Sequence, residues 1–249
     1  MKNYLTYPTS VMNITQNYSN SYSHAPHSQG YPADYPIDDA CADGGRSWFY
    51  CPCDEVRVAH IYGVGKSGTN TIWIESTSKV VMPCGEDFVT IQVIHPNDDT
   101  LAGIKKGQTF KRGEKMFLEG NDGKASGYHF HIAVGTGKFT GAGWVQNSKS
   151  AWVNVTTGKQ IRPEDAFWVD DSFTTVKNTC GIVFKHILIG DVDGDGKITS
   201  ADARIALRAA VGMENLTDKQ KMAADMDGDG NITTSDARDI LRKSVGLDG

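Results

Sequence analysis

Asp191-Val-Asp193-Gly-Asp195-Gly-Lys197-Ile-Thr199-Ser200-Ala201-Asp202 is repeated, with small changes, as Asp225-Met-Asp227-Gly-Asp229-Gly-Asn231-Ile-Thr233-Thr234-Ser235-Asp236. Each copy places oxygen-bearing side chains at loop positions 1, 3, 5 and 12, with glycine at position 6 for the sharp turn. Carboxylates this close repel one another unless a cation sits between them, so each copy is expected to hold one Ca2+. Position 7 (Lys197, Asn231) would offer its backbone carbonyl, and position 9 (Thr199, Thr233) would act directly or through water. The twelfth residue is Asp rather than Glu, which shortens its reach.

A helix-like stretch follows each loop, Ala203 to Val211 and Ala237 to Val245. Gly212 and Gly246 then suit a helix C-terminal cap. Ile187-Leu-Ile-Gly190 is too short and apolar to be a helix before the first loop. Each unit therefore reads as half of an EF-hand, a loop and its exiting helix. Thr217-Asp-Lys-Gln220 between them reads as a capping box. This duplicated loop-helix resembles the dockerin family, the modules that plug into cohesin domains of cellulosome-type scaffolds. The resemblance covers about residues 188–249. It implies a cohesin domain as partner and an extracellular or cell-surface setting. It also gives loop positions 10 and 11, Ser200, Ala201, Thr234 and Ser235, a part in choosing that partner.

The chain has 249 residues, enough for a larger domain at 1–186 and the small all-α calcium module at 187–249. Most of the net charge of −5 comes from the calcium repeats, and no basic arm suggests nucleic acid. No apolar run reaches the ~18 residues of a membrane span. The segment Met1–Ser10 lacks the apolar core of a secretory leader. The five cysteines leave at least one outside any intrachain disulfide. Cys51-Pro-Cys53 has no second pair to complete a metal site, so buried or partly bridged thiols are expected.

The first domain reads as mainly antiparallel β. Val56–Tyr62, Thr71–Glu75, Phe88–Ile94 and Tyr128–Val134 are short β-branched and aromatic runs punctuated by turn residues. Arg162–Phe167 reads as a turn into a short helical piece. Trp144, Trp152, Phe167, Trp168 and Phe173 are expected to close the core rather than stack on sugars. On a strand, residues two apart share a face, so His129 and His131 would project side by side into one groove. A pair of imidazoles is a natural start for a zinc site. His60 and His186 have no companions at ligand spacing and read as structural.

Several blocks, in order, resemble the lysostaphin-like family of zinc peptidoglycan endopeptidases. They are Ile14-Thr-Gln-Asn-Tyr-Ser-Asn-Ser-Tyr-Ser-His24, Tyr35-Pro-Ile-Asp38, Val93-Ile-His95, Gly103 to Glu114, and the Gly-rich approach Gly120 to Ile132. The resemblance implies an antiparallel sheet groove with one Zn2+ held by His24, Asp38 and His131. His95 and His129 would flank a metal-bound water as catalytic residues, and the substrate would be a peptidoglycan peptide. The family spaces its first histidine and aspartate a few residues apart, whereas here Ala25–Ile37 intervene. His27 and Asp34 offer shorter pairings. A non-catalytic wall-binding module of the same fold, displayed on the scaffold, is the alternative function.

Overall fold

The computed structural model describes residues 3–19, 35–41, 44–64, 70–123, 125–141 and 156–247. By its contacts the chain divides into two units. One comprises Tyr4–Trp168 and Thr174–Phe184, and the other Met1–Asn3, Val169–Phe173 and Lys185–Gly249. The boundary is thus not a single cut. Strand Trp168–Asp170 pairs with Lys185–Ile187, which draws Val169–Phe173 toward the C-terminal unit.

Among the described residues the larger unit is built on a nine-stranded sheet. Its strands are β1 (Val11–Gln16), β2 (Ile37–Asp39), β3 (Glu55–Tyr62), β4 (Thr71–Ser76), β5 (Val89–Ile94), β6 (Thr109–Lys111), β7 (Phe130–Thr136), β8 (Gln160–Ile161) and β9 (Thr175–Asn178). The order is β9-β1-β2-β7-β5-β4-β3-β6, with β8 also on β7. The pairings are antiparallel except for β1 with β9, which is parallel. The four runs expected to be strands are the central ones. The short helical piece falls at Pro163–Ala166, opened by a proline suited to the first turn.

Register sorts the two faces of the sheet. Ile72, Val93, Ile132 and Ile37 lie in one cross-strand row, and Ile74, Ile91, Val134 and Ile161 in the next. All eight are buried, and their face is the core side, as the period-two rule requires. The alternate rows mix polar and apolar residues, Thr71, Ile94, His131 and Asp38 in one, Trp73, Gln92 and Ala133 in the other, and all but the half-buried His131 are buried as well. Strand pairing thus brings Asp38 directly opposite His131. An aromatic cluster closes one flank, with Phe49 stacked on Phe117 at 4.9 Å and edge-on to Phe130 at 5.7 Å. Phe167 is fully buried, while Phe173 is partly exposed and belongs to the second unit. Trp144 and Trp152 lie outside the described residues. Among the described residues no disulfide joins the cysteines, and Cys41, Cys51 and Cys53 are buried.

The smaller unit carries α1 (Ser200–Ala210), α2 (Asp218–Ala224) and α3 (Thr234–Ser244). Its core is small: Val192, Ala203, Ala206, Leu216, Ala223, Ala224, Ala237 and Ile240. Thr199, Thr217 and Thr233 cap the three helices, each with a full capping box. Gly212 and Gly246 follow α1 and α3 at φ 75° and 72°, the left-handed conformation that ends a helix cheaply only at glycine. Among the described residues no helix is long and apolar enough to cross a membrane.

Candidate metal centres

On the mixed face of the sheet, Asp38 Oδ1 lies 3.1 Å from His131 Nδ1 and 3.8 Å from His129 Nε2. The His95 ring is 4.6 Å from that of His129 and 6.5 Å from that of His131, between centroids. Four of the five residues expected around zinc are therefore in one place. His24, its alternative His27, and Asp34, the alternative to Asp38, lie outside the described residues. His60 and His186 have other partners. His60 packs against Trp73 and Phe139, and His186 pairs with Asp171 at 2.7 Å.

Each member of the cluster is held by its backbone setting. Asp38 sits on β2, whose next residue, Asp39, is fully buried. Its carboxylate accepts from Tyr7 Oη–H, Thr9 Oγ1–H and the Asn13 N–H. These bonds pin β2 so that Asp38 faces outward, away from the core. Burial still pushes Asp39 up to about 6, against the lowering effect of the three donors. His129 precedes β7 and turns Nδ1 to the Gly127 carbonyl at 2.9 Å, leaving Nε2 toward Asp38. His95 follows β5 in the left-handed region at φ 69°. Its Nδ1 lies 2.5 Å from the Asp122 carbonyl oxygen. A carbonyl only accepts, so Nδ1 carries the proton and Nε2 is left with its lone pair. Burial lowers His95 to about 4, which keeps the ring neutral at pH 7.

A carboxylate oxygen shared by imidazole nitrogens is a donor set that suits zinc, which takes His nitrogen and Asp oxygen. On this chemistry the residues present fit the ion.

In the C-terminal module, ligand-type oxygens of Asp191, Asp193 and Asp195 lie within 4.8 Å of one another, and so do those of Asp225, Asp227 and Asp229. Asp225 Oδ1 is buried with no hydrogen-bond partner. Burial pushes the Asp225 carboxyl up to about 6, and the neighbouring Asp236, Asp227 and Asp229 add to the rise against the Gly230 N–H. An orphaned, crowded carboxylate of this kind is what a hard cation relieves, so these loops fit calcium.

The position-12 residues, expected as ligands, have both carboxylate oxygens engaged by hydrogen bonds. Asp202 Oδ1 accepts from the N–H groups of Val192 and Asp193, and Oδ2 from the Thr199 N–H and hydroxyl. Asp236 accepts likewise from Met226 N–H and from Thr233. They clamp the two ends of each loop. The Thr199 and Thr233 hydroxyls are engaged as helix caps, each also accepting from the N–H two residues on. Lys197 and Asn231 donate their N–H to Asp195 and Asp229. Ser200 and Thr234 open their helices on the exposed side, with Ala201 and Ser235 partly covered.

Residues 189–243 match the family model described as the dockerin type I domain, so the chain carries such a domain at its C-terminal end. No curated protein matches the chain. Among solved structures it is similar to a zinc-containing peptidase from Vibrio cholerae at 19% identity and TM-score 0.33, over 53% of this chain and 35% of that one. It is also similar to a putative peptidase M23 from Pseudomonas aeruginosa at 20% identity and TM-score 0.34, over 52% and 44%. A third is the antimicrobial peptidase lysostaphin from Staphylococcus simulans, at 12% identity and TM-score 0.33, over 56% and 51%. The chain therefore spans about half or less of each of these proteins.

Proposed function

We propose that this chain is a zinc-dependent endopeptidase acting on peptide bonds of bacterial peptidoglycan. Its peptidase domain spans 1–186. Its calcium-bearing module at 187–249 ties it to a cohesin domain of a scaffold, outside the cell or on its surface. The observation that carries the reading is the convergence of Asp38, His95, His129 and His131 on one face of the sheet.

Asp38 and His131, with His24, would hold one Zn2+, and the two C-terminal loops would hold one Ca2+ each. Zinc in such a site supplies Lewis acidity, polarising a carbonyl and making a water molecule easier to deprotonate. His129 presents Nε2 toward the cluster, so it can take a proton there and return it to a leaving amine. His95, neutral and with Nε2 unprotonated, can accept a hydrogen bond or a proton at that atom. The Asp38 carboxylate offsets positive charge on the imidazoles beside it. The left-handed turn at His95 aims its ring across the end of β5 at His129.

The test is zinc analysis of the purified protein together with hydrolysis of peptidoglycan fragments. Stoichiometric zinc is expected, with cleavage lost on metal stripping and restored by zinc. Full hydrolysis by the stripped protein would overturn the mechanism. A metal-free protein that binds wall fragments without cutting them would replace the enzyme by a binding module.

A further inference from the structure

Asn70 stands outside every motif above, yet it touches three parts of the loop system around His95. Its side chain is nearly fully buried. Its backbone carbonyl accepts the His95 N–H at 2.8 Å. Its Nδ2 donates to the Pro96 carbonyl at 3.0 Å, to Asp98 Oδ1 at 2.8 Å and to Asp122 Oδ2 at 3.3 Å. One residue thus grips the backbone on both sides of His95 and also the residue whose carbonyl holds the His95 ring.

The physical case has three parts. A non-glycine residue at positive φ costs of order 1–3 kcal/mol and persists only when its surroundings over-determine it. The two backbone bonds from Asn70 do that for His95. The three acceptors converging on Nδ2 are a carbonyl and two carboxylates, so only a donor fits; an aspartate there would bring a third carboxylate against them. Asp122, in turn, belongs to a segment wedged between the two histidine-bearing stretches. Gly120 accepts the His129 N–H at 3.1 Å. A Cβ on Gly120 would meet the His95 carbonyl oxygen at 2.4 Å and Asn97 N at 2.7 Å. The close approach admits only glycine, and it leaves the Asp122 carbonyl poised over the His95 ring.

Resting on the enzymatic reading above, we infer that Asn70 is a positioning residue for His95: with Asp122 it locks the imidazole as the Nδ1–H tautomer, with Nε2 turned to the site. Asn70 touches no reacting atom and acts only through His95.

Two measurements test this. In 15N-labelled, metal-free, full-length protein, the His95 ring signals should report one neutral form with its proton on Nδ1. Asn70→Ala should introduce the Nε2–H form. In the zinc-loaded protein Asn70→Ala should lower kcat about tenfold to a hundredfold, the scale of a misplaced group, with KM and zinc content unchanged. That fall should vanish when the change is made in a His95→Ala background. Should Asn70→Ala fail to fold, Asp122→Ala at a part-exposed position cuts the same link, and Asp122→Asn, which keeps an acceptor oxygen, should recover most of the loss. The inference is overturned if the Nδ1–H form persists alone in Asn70→Ala, or if the kcat loss is equally large without His95. A wild-type protein that hydrolyses nothing with zinc present sinks the enzymatic reading instead, while the ring signals still decide the tautomer lock.

Discussion

In the C-terminal module the acidic groups of each loop come from one short run, Asp191–Asp202 or Asp225–Asp236. In the sheet unit, Asp38, His95, His129 and His131 come from β2, the end of β5 and the start of β7, and meet only because those strands pair. The local loops leave their carboxylates crowded and one oxygen orphaned. The cluster on the sheet is instead held by the rest of the unit: Asp39 beneath Asp38, Asp122 on His95 and Gly127 on His129. A site made by sequence needs its ion to fold, whereas a site made by tertiary pairing is already shaped by the core before any ion arrives.

That contrast can be broken first at His131. His131→Ala should abolish zinc binding and hydrolysis together, while its sheet unit melts at the temperature of the metal-free unsubstituted protein, read by metal analysis, activity and calorimetry. Retention of zinc would mean that the sheet cluster is not the metal site. His129→Ala should keep zinc and cost about 10²–10⁴ in kcat, the usual contribution of a proton-transferring side chain. Equal loss of zinc in both variants would erase the distinction between ligand and acid–base group.

Calcium removal should act on the other region alone. With chelator, the helicity of residues 187–249 should fall and the sheet should not change, followed by far-UV circular dichroism and by aromatic signals of the sheet unit. At calcium a hundredfold above Kd the gain is about 2.7 kcal/mol for each site. A module that keeps its helices without calcium would remove the difference between the two regions.

A subtler comparison uses two carboxyls that burial pushes up to about 6, Asp39 in the sheet unit and Asp225 in the second loop. Each holds a proton in the folded state that the unfolded chain releases at lower pH. Each therefore lowers stability as pH rises from the ordinary carboxylate range through about 6. Calcium should abolish this for Asp225, because the ion takes the proton's place, and leave Asp39 unchanged. Carboxyl 13C titrations with and without calcium read both. The smallest effect expected is Thr217→Ala, which removes the cap of α2 without touching a loop ligand and should cost ~1 kcal/mol of module stability.

Much of this was legible along the chain. The β-branched and aromatic runs Thr71–Glu75 and Phe88–Ile94, bounded by turn residues, announce strands, and the duplicated Asp-x-Asp-x-Asp-Gly announces the loops and the helices they open. His129 and His131 signal a shared face through their spacing alone. The supporting residues were not legible. Asn70 and Asp122 are single polar residues in turn-rich text, and Asp39 looks like a second copy of Asp38. The nearest signals were Asn70's place just before a strand and Gly120 in the approach to His129. Neither states which backbone it meets. Asp202 and Asp236 were read as ligands, but their work as loop clamps and helix caps becomes visible only when their hydrogen bonds are traced.

The sequence by itself determined the two acidic loops and the helices that leave them, because the spacing of each loop is written within twelve consecutive residues. It also determined that His129 and His131 share a face, because side chains two apart on a strand point the same way. Only the tertiary structure decided that Asp38 lies opposite His131, that the His95 ring lies beside His129 with Nδ1 on the Asp122 carbonyl, and that Asn70 grips the backbone around it. Those facts depend on strand register and on a left-handed backbone turn, which arise from the packing of segments distant in the chain and leave no periodic trace in any one of them.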